Sequence, residues 1–129
     1  MNQIGQHITG LQHIGLPTND LEGTVKFYEK LGFRVASRTA SGDMPVCFMK
    51  LQNICMEIFE NKQAAMKSGA IDHLAFDVDD IEAEWKAVRA AGLEIREKEI
   101  QELPFWEHGI RFFTLEGPNR EVLEFNQIL

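Results

Sequence analysis

The sequence contains one block of residues twice, and this internal repeat limits the folds that the chain can adopt. Residues 11–35 align with residues 71–95 at a constant offset of 60 positions. The two copies are identical at several polar and glycine positions. These are His13/His73, Asp20/Asp80, Glu22/Glu82, Lys26/Lys86 and Gly32/Gly92. Because a hydrophobic core does not require identity at polar positions, the agreement predicts two copies of one supersecondary module.

A second match extends the repeat toward the end of each copy. Residues 55–59 align with residues 122–126, so that Glu57 falls on Glu124, and the offset there is 67. An insertion in a loop between the matched blocks produces such a change of offset. We therefore predict one globular unit over 1–129, made of a first module at 9–66 and a second at 67–129.

Local patterns predict the same order of elements in both modules. Residues 71–78 alternate between apolar and polar side chains, which is typical of a half-buried strand. Asp80 then caps a helix over 80–91 that Gly92 ends, and Asp20 and Gly32 bound the equivalent helix. The other predicted strands are 9–16, 33–39, 45–51 and 54–60 in the first module, and 93–99, 110–115 and 121–127 in the second. Each module is therefore β-α-β-β-β with mostly antiparallel pairing, and the fold class is α+β.

Composition excludes several classes of partner. The net charge of −7 argues against binding to nucleic acid or to an anionic membrane. No apolar run approaches the roughly 18 residues of a membrane span. The N-terminus lacks the pattern of a signal peptide, so we expect a cytoplasmic protein. Cys47 and Cys55 lie in apolar segments and are expected to be buried thiols.

Two histidines and two glutamates occupy equivalent places in the modules. His13 and His73 lie on the strand face opposite the apolar side chains, and Glu57 and Glu124 interrupt apolar strands. A carboxylate in such a strand is costly to bury unless it is paired, hydrogen-bonded or bound to a metal. Each residue alone is more often an ordinary solvent-facing one. All four in repeat register predict a shared site, and this donor set suits Zn, Ni, Co, Mn or Fe(II).

Several motifs in this order resemble the vicinal oxygen chelate superfamily, and within it glyoxalase I (lactoylglutathione lyase). They are LQHIGL, NDLEGTVKFYEKLGF, CMEIFE, IDHLAFDVDDIEA and GPNREVLEF, and the resemblance covers about 11–126. It implies paired βαβββ modules in a U-shaped, incompletely closed mixed sheet around a divalent metal, in a protein that is commonly a homodimer. It also implies that His13, Glu57, His73 and Glu124 are the metal ligands, with Ni or Zn favoured and Co, Mn or Fe as alternatives.

Glu57 discriminates between members of the superfamily. Extradiol dioxygenases and fosfomycin-resistance enzymes use a His-His-Glu set, methylmalonyl-CoA epimerases usually carry Gln at this place, and bleomycin-binding members lack the ligand set. Glutathione-using members often carry Arg where this chain has Pro17, whereas the Asn that follows the first Glu is kept as Asn61.

The resemblance implies proton transfer on a small-molecule substrate, a 2-oxoaldehyde–thiol hemithioacetal or a related α-hydroxycarbonyl compound, through a metal-bound enediolate. Glu124 is favoured as the base, with Glu57 as its counterpart, and Glu124→Gln is expected to abolish turnover. The alternatives are an acyl-CoA epimerase, a ring-cleaving dioxygenase and a metal-free resistance protein that binds a drug or metabolite.

The segment 100–109 carries aromatic residues in a long connection. Phe105, Trp106 and His108 are interpreted either as a lid that contacts substrate, or as a plug at the sheet edge or dimer interface. Together with Asn61 they complete the predicted substrate-binding residues.

Overall fold

The structure is a computed structural model and describes residues 4–129. It consists of two four-stranded mixed sheets with two helices, one sheet from each half of the chain. The strands are β1 (Ile14–Pro17), β2 (Arg34–Ser41), β3 (Met44–Leu51), β4 (Ile54–Phe59), β5 (His73–Asp77), β6 (Gln101–Leu103), β7 (Ile110–Glu116) and β8 (Val122–Ile128). The helices are α1 (Leu21–Lys30) and α2 (Ile81–Ala90).

The two sheets have the same topology. The strand order is β1-β4-β3-β2 in the first sheet and β5-β8-β7-β6 in the second. The first strand of each module runs parallel to the last, and the remaining pairs are antiparallel. Neither sheet closes on itself. The α+β class and the βαβββ order predicted from the repeat are confirmed.

Equivalent caps begin and end the two helices. Asp20 Oδ1 accepts a hydrogen bond from the Gly23 N–H at 3.1 Å, and Asp80 Oδ1 accepts one from the Ala83 N–H at 3.1 Å. At the other end, Gly32 and Gly92 adopt positive φ angles of 104° and 78°, in the region that glycine enters at least cost. Neither helix has the length or hydropathy needed to span a membrane, and the described part of the chain holds no other candidate.

One hydrophobic core joins the two modules. It contains side chains from both helices and both sheets. Ring contacts continue from Tyr28 to Phe33 at 5.4 Å between centroids, to Phe76 at 6.2 Å and to Phe125 at 5.5 Å. Trp85 packs its ring edge-on against a core phenylalanine of β7. The helix-facing sides of both sheets therefore pack together, and the opposite faces are left for the site.

The cysteines are free, as predicted. Cys47 is buried and Cys55 is half-buried. Burial raises the pKa of the Cys47 thiol, so this side chain is neutral and packs as a small apolar residue.

The predicted strand over 93–99 is wrong, because a side chain replaces part of the strand pairing there. The Arg96 N–H donates to the Thr114 carbonyl at 2.9 Å, but the Thr114 N–H donates to Glu97 Oε1 at 2.7 Å instead of to a backbone carbonyl. The Thr114 hydroxyl donates to the other oxygen of the same carboxylate at 2.7 Å. Regular pairing with β7 resumes only at Gln101, in the short strand β6.

The first strand is also shorter than the predicted 9–16. β1 begins at Ile14, which pairs with Met56, and this parallel register places position 12 opposite Ile54, the first residue of β4. Residues before position 12 therefore have no partner on β4, and Leu11 is 78% exposed.

Candidate metal centre

His13 and Glu57 form a pair on the first sheet. Glu57 lies on β4, where its neighbours Met56 and Ile58 are buried on the helix side, and its register partner on β1 is Gly15. Because side chains alternate along a strand, Glu57 points to the opposite face. His13 directly precedes β1 and places its Nε2 atom 3.9 Å from Glu57 Oε1.

His73 and Glu124 form the equivalent pair on the second sheet. Glu124 lies on β8 between the buried Leu123 and Phe125, and its register partner on β5 is Ala75. His73 Nε2 lies 3.5 Å from Glu124 Oε1. In both modules the residue opposite the carboxylate is small, which leaves open space beside the imidazole and the carboxylate.

The other ring nitrogen of each histidine is held by the preceding residue. His13 Nδ1 lies 3.0 Å from Gln12 Oε1, and His73 Nδ1 lies 2.8 Å from Asp72 Oδ2. Both oxygens are acceptors, so these contacts favour the Nδ1 atom as the donor of each ring. Nε2 is then the ring nitrogen that faces the glutamate. This is the arrangement in which histidine binds metals, with an outer oxygen fixing the tautomer.

The two pairs do not meet as one site within the chain. No group of three or more His, Cys, Asp or Glu side chains arranged to hold a metal occurs among residues 4–129. His13 and His73 do line a common cavity of about 470 Å³, together with Leu11 and Ile71. Glu57 and Glu124 are absent from the described lining of that cavity. The structure therefore presents two matched half-sites, each with one imidazole nitrogen and one carboxylate available.

Asn126 is a polar neighbour of Glu124 that the sequence pattern did not single out. Its Nδ2 donates a hydrogen bond to Glu124 Oε2 at 2.7 Å. Position 126 aligns with Phe59 in the repeat, so the change from an apolar ring to an amide was the available signal. The Asn126 Oδ1 atom is buried and has no hydrogen-bond donor among the described residues.

The aromatic segment before β7 lies at the end of the second sheet. Phe105 and Trp106 are 52% and 76% exposed, and Trp106 has a φ of 62°. Trp106 lines one cavity beside Asn126 and another beside His108. The segment therefore borders the sheet face that carries Glu124.

Asn61 has a local role in the structure. It follows β4, and its Oδ1 accepts a hydrogen bond from the Gln63 N–H at 2.9 Å. This contact closes a tight turn of the kind that Asn side chains commonly form.

Comparison with known proteins identifies the family of this chain. The model of the Glyoxalase/Bleomycin resistance protein/Dioxygenase superfamily matches residues 10–125. Uncharacterized protein YwbC of Bacillus subtilis (strain 168) is 27% identical over 124 residues, which are 91% of this chain and 96% of that protein.

Solved structures share the fold. A glyoxalase family protein from Enterococcus faecalis superposes with a TM-score of 0.77 at 24% identity, covering 92% of this chain and 98% of that one. A mutant of the fosfomycin resistance protein FosX from Listeria monocytogenes, complexed with Mn(II) and 1S,2S-dihydroxypropylphosphonic acid, superposes with a TM-score of 0.70 at 21% identity, covering 92% and 89%. With the family match over most of its length, the chain belongs to the Glyoxalase/Bleomycin resistance protein/Dioxygenase superfamily, as its resemblance to vicinal oxygen chelate proteins predicts.

Proposed function

We propose that this protein is a divalent-metal-dependent lyase or isomerase of the glyoxalase I type. Its substrate would be a 2-oxoaldehyde–thiol hemithioacetal or a related α-hydroxycarbonyl compound. The observation that carries the proposal is the pair of matched His–Glu half-sites, in which each imidazole directs Nε2 at a carboxylate while Nδ1 is held from behind.

The donor set fits a divalent metal. His13, Glu57, His73 and Glu124 would hold the ion through two nitrogens and two carboxylates, and Ni or Zn would suit this set first, with Co, Mn or Fe as alternatives. When bound, the metal supplies a Lewis acid that withdraws electron density from substrate oxygens. FosX, which shares the fold, is complexed with Mn(II) in two of its solved structures.

A second copy of the chain would complete the site. β1 pairs only with β4, and β5 only with β8, among the described residues, so each half-site borders a free strand edge. Leu11 and Ile71, which precede the two histidines at equivalent positions, are 78% and 77% exposed. In a homodimer with two-fold symmetry, the first half-site of each copy would meet the second half-site of the other, which gives two equivalent centres.

The carboxylates supply the proton chemistry. Abstraction of a proton next to a carbonyl needs a base in contact with that carbon. Glu57 and Glu124 would flank the substrate from the two sheets, and Gly15 and Ala75 leave room for it. Phe105, Trp106 and His108 would cover the cleft and exclude water, and Asn61 would border it. Pro17, in the place of an arginine, favours a thiol adduct other than that of glutathione.

The proposal is tested by turnover of the metal-loaded protein. Purified protein is stripped, reloaded with Ni(II), Zn(II), Co(II) or Mn(II), and assayed with methylglyoxal adducts of several thiols. We expect metal-dependent isomerisation that His13→Ala and His73→Ala each abolish. His7 is an exposed residue in the N-terminal segment, and His7→Ala should leave the isomerisation unchanged. Protein that binds no divalent metal and turns over none of these adducts contradicts the proposal and favours a metal-free binding protein.

A further inference from the structure

A cavity of about 310 Å³ lies beside Glu124 on the second sheet, and the proposed proton transfer does not use it. It begins at Ala75, the register partner of Glu124, and continues along β5 and β8 away from His73. The residues that line it are Ala75, Phe76, Asp77, Trp106, Asn126 and Ile128. A substrate held at the half-sites therefore has room to extend one of its ends into this cavity.

The charge in the cavity is negative. Side chains alternate along β5, so Asp77 lies on the same face of the sheet as His73 and Ala75. Asp77 is exposed, and its carboxylate has no hydrogen bond or ion pair with any of residues 4–129. None of the described lining residues carries a positive charge. The carboxylate therefore has no counter-charge within the described part of the chain.

Asn126 adds a second oxygen without a partner. Its Nδ2 donates to Glu124 Oε2 at 2.7 Å, and this contact turns Oδ1 away from that carboxylate. Oδ1 is buried and has no hydrogen-bond donor among the described residues. Asn126 is the register partner of Asp77, so its unpaired carbonyl dipole lies beside the Asp77 charge. Because Oδ1 is buried, it attracts a cation in the cavity through space and not by direct contact.

Trp106 supplies an aromatic surface at the same cavity. Its side chain is 76% exposed, and its φ of 62° is uncommon for a bulky residue. Backbone strain of this kind clusters at functional sites. Among side chains, the indole ring binds organic cations best, and quaternary ammonium groups are common ligands of such rings. An aromatic ring beside a free carboxylate is therefore a combination that suits an organic cation.

The first half-site lacks these features. The repeat aligns Asp77 with Pro17, and it aligns position 126 with Phe59. Both tryptophans of the chain also lie in the second module. The two copies thus agree at their histidine and glutamate and differ in the groups beside them. This difference distinguishes one end of a bound substrate from the other.

We propose that this cavity is a subsite for an organic cation, and that the thiol part of the substrate carries an ammonium group that binds there. The second statement rests on the proposed function. Asp77 lies two residues beyond Ala75, and two residues along a strand span about 7 Å. A two-carbon link between the sulfur and the nitrogen has a similar reach from the carbon that loses its proton. Asp77 disfavours a thiol that carries a carboxylate at this place.

Binding of small molecules to the metal-free protein tests the subsite without turnover. Choline and its neutral isostere 3,3-dimethylbutan-1-ol have the same shape and differ in charge. Their affinities are measured from the backbone amide signals of β8 in NMR titrations. We expect choline to bind about tenfold more tightly, because an ion pair and a cation–π contact at a partly exposed site together contribute about this much.

Three variants separate local contacts from the overall charge of the protein. Asp77→Asn and Trp106→Leu should each reduce the preference for choline by about threefold or more, since each removes one of the two contacts. Asp79→Asn is the matched control, because it removes an equal charge two residues further along the chain from a residue that does not line the cavity. The preference should be unchanged in this variant.

Turnover tests whether the substrate carries the cation. The metal-loaded protein is assayed with the methylglyoxal adducts of thiocholine, of its neutral isostere 3,3-dimethylbutane-1-thiol and of 3-mercaptopropionate. The quaternary nitrogen of thiocholine does not attack the aldehyde, so its adduct stays a hemithioacetal. We expect kcat/KM to be about tenfold higher for the thiocholine adduct than for the neutral one, and lowest for the carboxylate. Asp77→Asn should lose most of this preference, and Asp79→Asn should keep it.

The outcomes distinguish the subsite from the proposed function. Equal binding of choline and the neutral alcohol, or an equal loss of preference in Asp79→Asn and Asp77→Asn, overturns the subsite, and turnover of the neutral adduct would then leave the proposed function standing. Equal kcat/KM for the three adducts overturns the place of the cation in the substrate. A preference for choline without turnover of any adduct overturns the proposed function and leaves the subsite.

Discussion

The Tyr28 hydroxyl donates a hydrogen bond to Glu121 Oε2 at 2.7 Å, and this contact joins the helix of the first module to the residue directly before β8, the strand that carries Glu124. Tyr28 is fully buried, and Glu121 lies three residues before Glu124. Nearby, Thr18 donates to Asn119 Oδ1 at 2.8 Å and Asn119 Nδ2 donates to Thr24 at 3.2 Å. These polar contacts fix the relative position of the two modules behind the site.

Removal of the Tyr28 hydroxyl should destabilise the protein. Tyr28→Phe removes the donor of Glu121 Oε2 in a partly buried place, while the Asn119 N–H still donates to Oε1 at 2.8 Å. Loss of this hydrogen bond to a charged group costs about 1–3 kcal/mol. The free energy of unfolding, measured by urea denaturation, should fall by this amount. A Tyr28→Phe variant as stable as the wild type would contradict the account.

Tyr28 is the single tyrosine of the chain, so its ionisation can be followed directly. Burial and then the neighbouring Glu121 charge raise the pKa of Tyr28 well above 10.0. Since the unfolded chain ionises near the ordinary value, this stabilising contribution is complete below about pH 10 and declines as the pH rises above it. Absorbance at 295 nm should show tyrosinate only when the protein unfolds, and a titration near pH 10 in folded protein would contradict the contact.

Gly117 should tolerate no side chain. A Cβ atom at this position would overlap the Glu121 carboxylate, so Gly117→Ala must displace the acceptor of Tyr28. We expect a loss of about 1–3 kcal/mol in the free energy of unfolding. Gly69→Ala is the control, because its Cβ would have no atom within 4 Å, and equal stability of the two variants would contradict the predicted overlap.

Mixing two inactive variants tests whether two chains build each centre. A heterodimer of His13→Ala and His73→Ala holds one centre with both histidines and one with neither. Random reassociation should therefore restore about a quarter of wild-type activity if each centre joins the first half-site of one copy to the second of the other. Mass spectrometry of a labelled partner shows whether the subunits exchange. If they exchange and the mixture remains inactive, each centre lies within one chain.

Much of the fold follows from the repeat in the sequence. The aspartate caps and the glycines that end the helices could be predicted because they act on local backbone. The strand over 93–99 could not, because the Glu97 carboxylate takes the place of a backbone partner for Thr114, and a pattern of hydropathy does not record a side chain that bonds across seventeen positions.

The sequence indicated the four residues that form the two His–Glu pairs, but not the surroundings of those pairs. The two histidines and two glutamates were found because the repeat placed them in register. Asn126 was missed because its counterpart is Phe59, and a search for agreement between copies discards the positions at which they differ. The half-sites belong to separate sheets, and the repeat does not specify how the two sheets are placed relative to each other.

The most direct test of the account is a Ni(II) titration of the metal-free protein by calorimetry. We predict about one tight site per chain, strongly weakened in both His13→Ala and His73→Ala and unchanged in His7→Ala. Tight binding that survives the loss of either His13 or His73, or no tight binding by the wild-type protein, would contradict the claim that the two half-sites share one metal.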